Sequence, residues 1–154
     1  MARYKLLLIE DNEDDIDLVR YAIHRSAADS SVDLVVSRSG EEGLAYLCQP
    51  LMAKNQSELP ALILLDIKLP GIDGLEVLRR IRAHPVVERL PVVLLTTSDS
   101  QEDVDNGYRF GANSFVRKPE ELSSFCSLFN QLGVLFAAES FELKDLPYQI
   151  PRKF

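Results

Sequence analysis

The apolar residues of this chain come in short runs, and three of those runs are continuous rather than alternating. Aliphatic stretches recur at 4–9, 32–36, 61–65, 91–95 and 114–116. The first, third and fourth have no polar residue every second position, the pattern expected of a parallel strand buried on both faces. Helix-period segments lie between them. Residues 13–27 place Ile16, Val19, Ile23 and Ala27 on one stripe, and residues 74–83 do the same with Leu75, Leu78 and Ile81, flanked by Val77. Ser39 with Glu42 reads as a capping box opening 40–49, and Ser98 with Gln101 as one opening 99–110, which Gly111 closes. Residues 120–138 read as a last helix, and 50–60 as a polar surface insertion with a proline at each end. Strands alternating with helices predict an α/β fold, a doubly wound parallel (βα)5 sheet with right-handed crossovers.

A length of 154 residues suits one domain with a sizeable core. The formal charge of −7 argues against nucleic acid or an anionic membrane as the main partner. No apolar run approaches the roughly 20 residues of a bilayer span, and residues 1–4 show no signal-peptide pattern, so a cytoplasmic location is expected. Cys48 and Cys126 form no CxxC pair and read as small packing residues. His24 and His84 have no companion ligand in the sequence and take no role.

In doubly wound sheets, sites form beyond the carboxyl ends of the strands. The residues that end each run therefore matter most. The first run ends in Glu10-Asp11, the third in Asp66, the fourth in Thr96-Thr97 and the fifth in Arg117-Lys118-Pro119. Adjacent carboxylates repel, and burying them is costly without a compensating cation. Clustered acids suit a hard divalent cation such as Mg²⁺. The plainer alternative is that Asp11 or Asn12 caps the helix at 13, where acids complement the dipole. Asp66 ends "ALILLD" ahead of a turn marked by Pro70, Gly71 and Gly74, with Asp73 as the next helix cap. A carboxylate facing a metal and an ammonium can act as a nucleophile toward phosphorus. Thr96 could donate to a phosphoryl oxygen and Lys118 could pair with one as a point charge. The bond before Pro119 could be cis and fix the lysine's approach.

These residues resemble the receiver domain of bacterial two-component response regulators. "LLLIEDNEDD", "LILLDIKLPGIDGLEVLRRIR", "LPVVLLTTS" and "GANSFVRKP" occur in that family's order and spacing, from residue 4 to about 138. The resemblance implies a flavodoxin-like sheet of strand order 2-1-3-4-5, with residues 1–138 as the receiver domain and 139–154 as a tail. It implies that Asp66 accepts a phosphoryl group from a histidine kinase and that Asp11, Asp66 and the backbone carbonyl of Lys68 ligate Mg²⁺. Glu10 would act beside them, often through water. Thr96 and Phe115 would be switch residues and Lys118 the family's lysine. Phe115 stands where tyrosine is frequent and has no hydroxyl to bond; a core aromatic is its plainer reading. Lys68 borders the acceptor at a position the family varies, where a cation could pair with Glu10 or the phosphoryl group and slow its hydrolysis.

The resemblance further implies a stand-alone response regulator, similar to those paired with phytochrome-linked kinases. The alternative at this level is a phosphorelay intermediate or phosphate sink for another kinase. A haloacid-dehalogenase-type phosphatase would need an acid where Lys68 stands, and a pseudo-receiver would not keep Glu10, Asp11, Asp66, Thr96 and Lys118 together. In the last helix, Leu122, Phe125, Leu128, Phe129, Leu132, Leu135 and Phe136 form one stripe, while Val134 and Phe141 project away from it. That second apolar surface leads to the expectation of a homodimer through this helix and the tail.

Overall fold

The computed structural model describes residues 3–26, 29, 31–97, 100–118, 126, 129 and 130. Five strands form one parallel sheet: β1 (Tyr4–Ile9), β2 (Val32–Ser37), β3 (Leu62–Asp66), β4 (Val92–Thr96) and β5 (Ser114–Arg117), in the order β2-β1-β3-β4-β5. The expected fold class and strand order are observed. The connections are α1 (Glu13–His24), α2 (Gly40–Leu47), α3 (Pro50–Lys54), α4 (Gly74–Ala83) and α5 (Gln101–Arg109).

The continuous apolar runs divide between two faces by strand period. In β1, Leu6 and Leu8 join Ile16, Val19 and Ile23 of α1 and Phe129 in one cluster. Leu7 and Ile9 join Val77, Leu78 and Ile81 of α4 and Val104 of α5 in the other. Each strand residue therefore has a helix to pack against, and full burial of one such side chain is worth about 1.5–3 kcal/mol. No helix among the described residues is long and apolar enough to cross a membrane.

Local signals set the helix starts. Asn12, Ser39 and Asp73 accept from the backbone N–H of Asp15, Glu42 and Glu76, and so cap α1, α2 and α4. Three expectations need correction. The cap of α5 is Ser100, which accepts from Asp103 N–H, rather than Ser98. The Glu42 carboxylate reaches back to the N–H of Arg38, not Ser39, so the box is open by one residue. The 50–60 segment is not a plain loop: it forms α3 and a 3₁₀ turn (Gln56–Glu58), buries Met52, and ties to β1 through a Lys5–Glu58 ion pair. In α4, Val77 is fully buried and Leu75 only half, which rotates the stripe by one position. Cys126, Phe129 and Asn130 are helical. Phe129 of the last-helix stripe is buried in the first of the two core clusters; Ala27, Pro119, the other residues of that stripe, Val134 and Phe141 invoked for a dimer, and the 139–154 tail lie outside the described residues.

The end of the sheet opposite the strand carboxyl ends is clamped by Arg82. Its guanidinium donates to the carbonyls of Gly111 (2.9 Å), Glu88 (2.9 Å) and Leu90 (2.7 Å) and to Asn113 Oδ1 (2.8 Å). Asn113 Oδ1 also accepts from Val92 N–H at 2.9 Å, so one side chain joins α4, the strand β4 entry and the α5–β5 turn. Gly111 has φ +100°, and a Cβ there would stand 3.0 Å from Arg82 Nε; only glycine suits both demands. Replacing Arg82 by alanine is expected to cost about 2–4 kcal/mol, because several half-buried acceptors lose a charged donor. Urea unfolding measures this, and Arg82→Lys should recover less than half, since an ammonium cannot span the same fork.

Candidate functional site

The register carries the acids to one rim. Ile9 pairs with Leu65, so Glu10 and Asp66 follow side by side at the ends of β1 and β3. Asp66 pairs with Leu95, and Thr96 with Arg117, which brings the residue after Arg117, Lys118, to the same edge. β2 and β3 lie on opposite sides of β1, so the chain reverses its winding direction there. A site beside β1 and β3 sits at that switch point.

The acceptor loop is held tightly behind Asp66. Gly74 N–H donates to the Ile67 carbonyl at 2.9 Å. A Cβ on Gly74 would lie 2.1 Å from the Asp66 carbonyl oxygen, so the start of α4 can approach the loop this closely only as glycine. Glu41 at the start of α2 accepts from Ile72 N–H at 3.1 Å and steadies the loop from the other side.

One ammonium organises the carboxylates. Lys118 Nζ donates to Asp15 Oδ2 at 2.8 Å and to Asp66 Oδ2 at 3.2 Å, and lies 2.6 Å from Glu10 Oε2. The other oxygens take backbone donors: Asp66 Oδ1 accepts from Lys68 N–H at 3.2 Å, and Glu10 Oε1 from Asn12 N–H at 3.2 Å. Glu10 is 1% exposed and Asp66 4%. Burial pushes the Glu10 carboxyl up to about 7; Lys118 opposes that rise and the charge of Asp66 adds to it. Burial by itself would lower the Lys118 ammonium, but the carboxylates of Asp15, Glu10 and Asp66 raise it above the usual lysine value, so it stays charged.

Glu10, Asp11 and Asp66 each offer an oxygen within 4.8 Å of the other two. Glu10 Oε2 is buried and, despite its ion pair, has no aligned hydrogen-bond donor. A buried carboxylate oxygen held by an ion pair alone, in an all-oxygen cluster, fits a hard divalent cation. The Lys68 side chain departs from the sequence expectation. It is 69% exposed and leans to Asp103 Oδ2 of α5 at 3.8 Å, rather than to Glu10. Phe115 is fully buried in the core cluster under α5. Thr96 ends β4 at the rim, and its side chain lies outside the described residues. Asp15 was missed: the acidic run 13–15 reads as a dipole complement to the helix start.

Comparison with known proteins agrees with this geometry. The chain is 39% identical over 117 residues to response regulator Rcp1 of Synechocystis sp., covering 76% of this chain and 78% of that protein. The crystal structure of the phosphorylated cyanobacterial phytochrome response regulator RcpA superposes with a TM-score of 0.76 at 34% identity, over 90% of this chain and 97% of that one. The Mn²⁺-bound form of Rcp1 gives a TM-score of 0.69 at 33% identity, over 96% and 99%. Residues 6–130 match the response regulator receiver domain, and the chain therefore belongs to that family.

Proposed function

We propose that Asp66 accepts a phosphoryl group from a histidine kinase, with Mg²⁺ held by Asp11, Asp66 and the Lys68 carbonyl and with Glu10 beside it. The observation that carries this reading is the contact of a charged ammonium, Lys118, with the buried carboxylate of Asp66 at 3.2 Å, next to an oxygen cluster suited to a cation. The metal, when bound, supplies positive charge to the phosphoryl oxygens. The chain supplies the remainder. Asp66 is fixed by Lys68 N–H and Lys118, so one carboxylate oxygen attacks phosphorus in line while the other keeps its hydrogen bond. The new bond is Asp66 O–P, and the phosphorus–nitrogen bond of the donor histidine breaks; Lys118 offsets charge on the transferred group.

The modified Asp66 would carry about two negative charges, and in this reading Thr96, which ends β4, and Phe115, buried in the core, are the switch residues that respond to them. The chain then catalyses only its own phosphorylation and hydrolysis, and its product is a protein state. The likeness to RcpA, named as a cyanobacterial phytochrome response regulator, supports a phytochrome-type kinase as the donor. A second copy docking through the last helix and the 139–154 tail is the assembly the apolar residues there favour.

With acetyl phosphate and Mg²⁺, the protein should gain one base-labile phosphate, read as a mass increase, and Asp66→Asn should gain none. Acetate leaves as the Asp66 O–P bond forms, so no proton need move. Lys68→Ala should change the half-life of that phosphate by about two- to tenfold, because Lys68 stands two residues after the acceptor and its long side chain can reach the phosphoryl group from its place beside Asp103; an unchanged half-life assigns it to the surface. Sedimentation of the full chain with beryllofluoride should give a dimer mass, and a monomer mass counts against the docking surface.

A further inference from the structure

Asp15 has no part in the roles assigned above, yet it makes the shortest hydrogen bond to Lys118, 2.8 Å against 3.2 Å for Asp66. It stands on the first turn of α1, and its backbone N–H is already used by the Asn12 cap. Its carboxylate is therefore not needed to start the helix. Its side chain is 32% exposed, so its oxygens face the ammonium from the wetter side of the rim. Among the described residues the ammonium pairs with Glu10, Asp15 and Asp66.

We infer that Asp15 is a positioning residue that competes with the phosphoryl group for the Lys118 ammonium, and so limits how readily the acceptor is loaded. This rests on Asp66 being the phosphoacceptor. The argument is one of charge and of donors. A phosphoryl group on Asp66 brings new oxygens and about two negative charges beside Lys118. The ammonium has three N–H donors on a flexible stem and can turn toward those oxygens. Asp15 holds it toward α1 in the resting state and repels the incoming charge at short range. Glu10 contacts the ammonium still more closely, at 2.6 Å, but its carboxylate also belongs to the oxygen cluster suited to a cation, so saturating Mg²⁺ takes up its charge and leaves Asp15 as the competitor. Removing the Asp15 charge while keeping its shape releases the ammonium to the acceptor.

The test is the affinity for beryllofluoride, measured by calorimetry on the full chain at saturating Mg²⁺. Asp15→Asn is expected to bind it about fivefold or more tightly than the unaltered protein, a coupling of ordinary size for contacting groups. Asp15→Ala is expected to shift in the same direction, which separates loss of the charge from a defect peculiar to asparagine. Asp14→Asn is the control. Asp14 is exposed on the same turn and removes the same unit charge, and it should change the affinity less than about twofold, the scale of a screened surface charge. Unchanged or weaker binding in both Asp15 variants overturns the proposal, and so does equal tightening by Asp14→Asn. If the unaltered protein itself fails to bind beryllofluoride, the phosphoacceptor reading falls and takes this inference with it.

Discussion

The rim of the sheet depends on one ion cluster. Lys118 places a charged ammonium against Glu10, Asp15 and Asp66, which come from the end of β1, the first turn of α1 and the end of β3. A carboxylate as buried as Glu10 is strongly unfavourable when unpaired, and breaking a buried ion pair by removing one partner typically costs about 3–5 kcal/mol. The cluster therefore has to form as a unit. It explains why two acids can follow an apolar strand directly, and why the strand ends face inward to one point instead of splaying toward solvent. The exposed pairs of the chain, such as Arg79–Glu76 and Arg3–Asp33, contribute little by comparison.

The backbone makes this cluster possible at separations of up to 108 residues between Glu10 and Lys118. Parallel pairing with a fixed register converts four distant strand ends into neighbours. Register is secured because a one-residue slip would exchange the two core clusters face for face. Leu6 and Leu8 would then meet α4 and α5, and Leu7 and Ile9 would meet α1. At the opposite end, Arg82 ties the β4 entry to the turn before β5, so the strand that carries Lys118 cannot slide on its neighbour. The precision of the site is thus set by packing and clamping outside it.

Most of this was legible in the residues because the signals are local or periodic. The continuous apolar runs marked β1, β3 and β4, and the residues ending them marked the rim. Where reading failed, two short-range options competed and only packing decided. Ser98 and Ser100 are both good caps, and α5 begins after the second. The 50–60 segment is polar in composition, yet Met52 finds a buried place and Glu58 a lysine on β1, which is enough to order two short helical turns. The direction of a long side chain is not encoded by its position either. Lys68 borders Asp66 in sequence and still turns toward Asp103. Asp15 was hidden because an acid in a first helical turn already has a sufficient explanation in the dipole.

The charge balance of the rim also bears on the order in which the proposed function would bind cation and anion. Glu10, Asp15 and Asp66 face a single ammonium, and Asp11 adds a fourth carboxylate to the oxygen cluster beside it. With all four ionised, a phosphoryl group meets net repulsion however well its shape fits. Burial, with the charge of Asp66 adding to it, raises the Glu10 carboxyl to about 7 although Lys118 opposes the rise. A divalent cation at the oxygen cluster would relieve that excess of acids, and Lys118 would then be available to the acceptor rather than to Glu10. Under the proposed function, the surplus of acids over lysines would make the receiving of negative charge conditional on prior binding of positive charge, using only the residues that end the strands and begin the first helix.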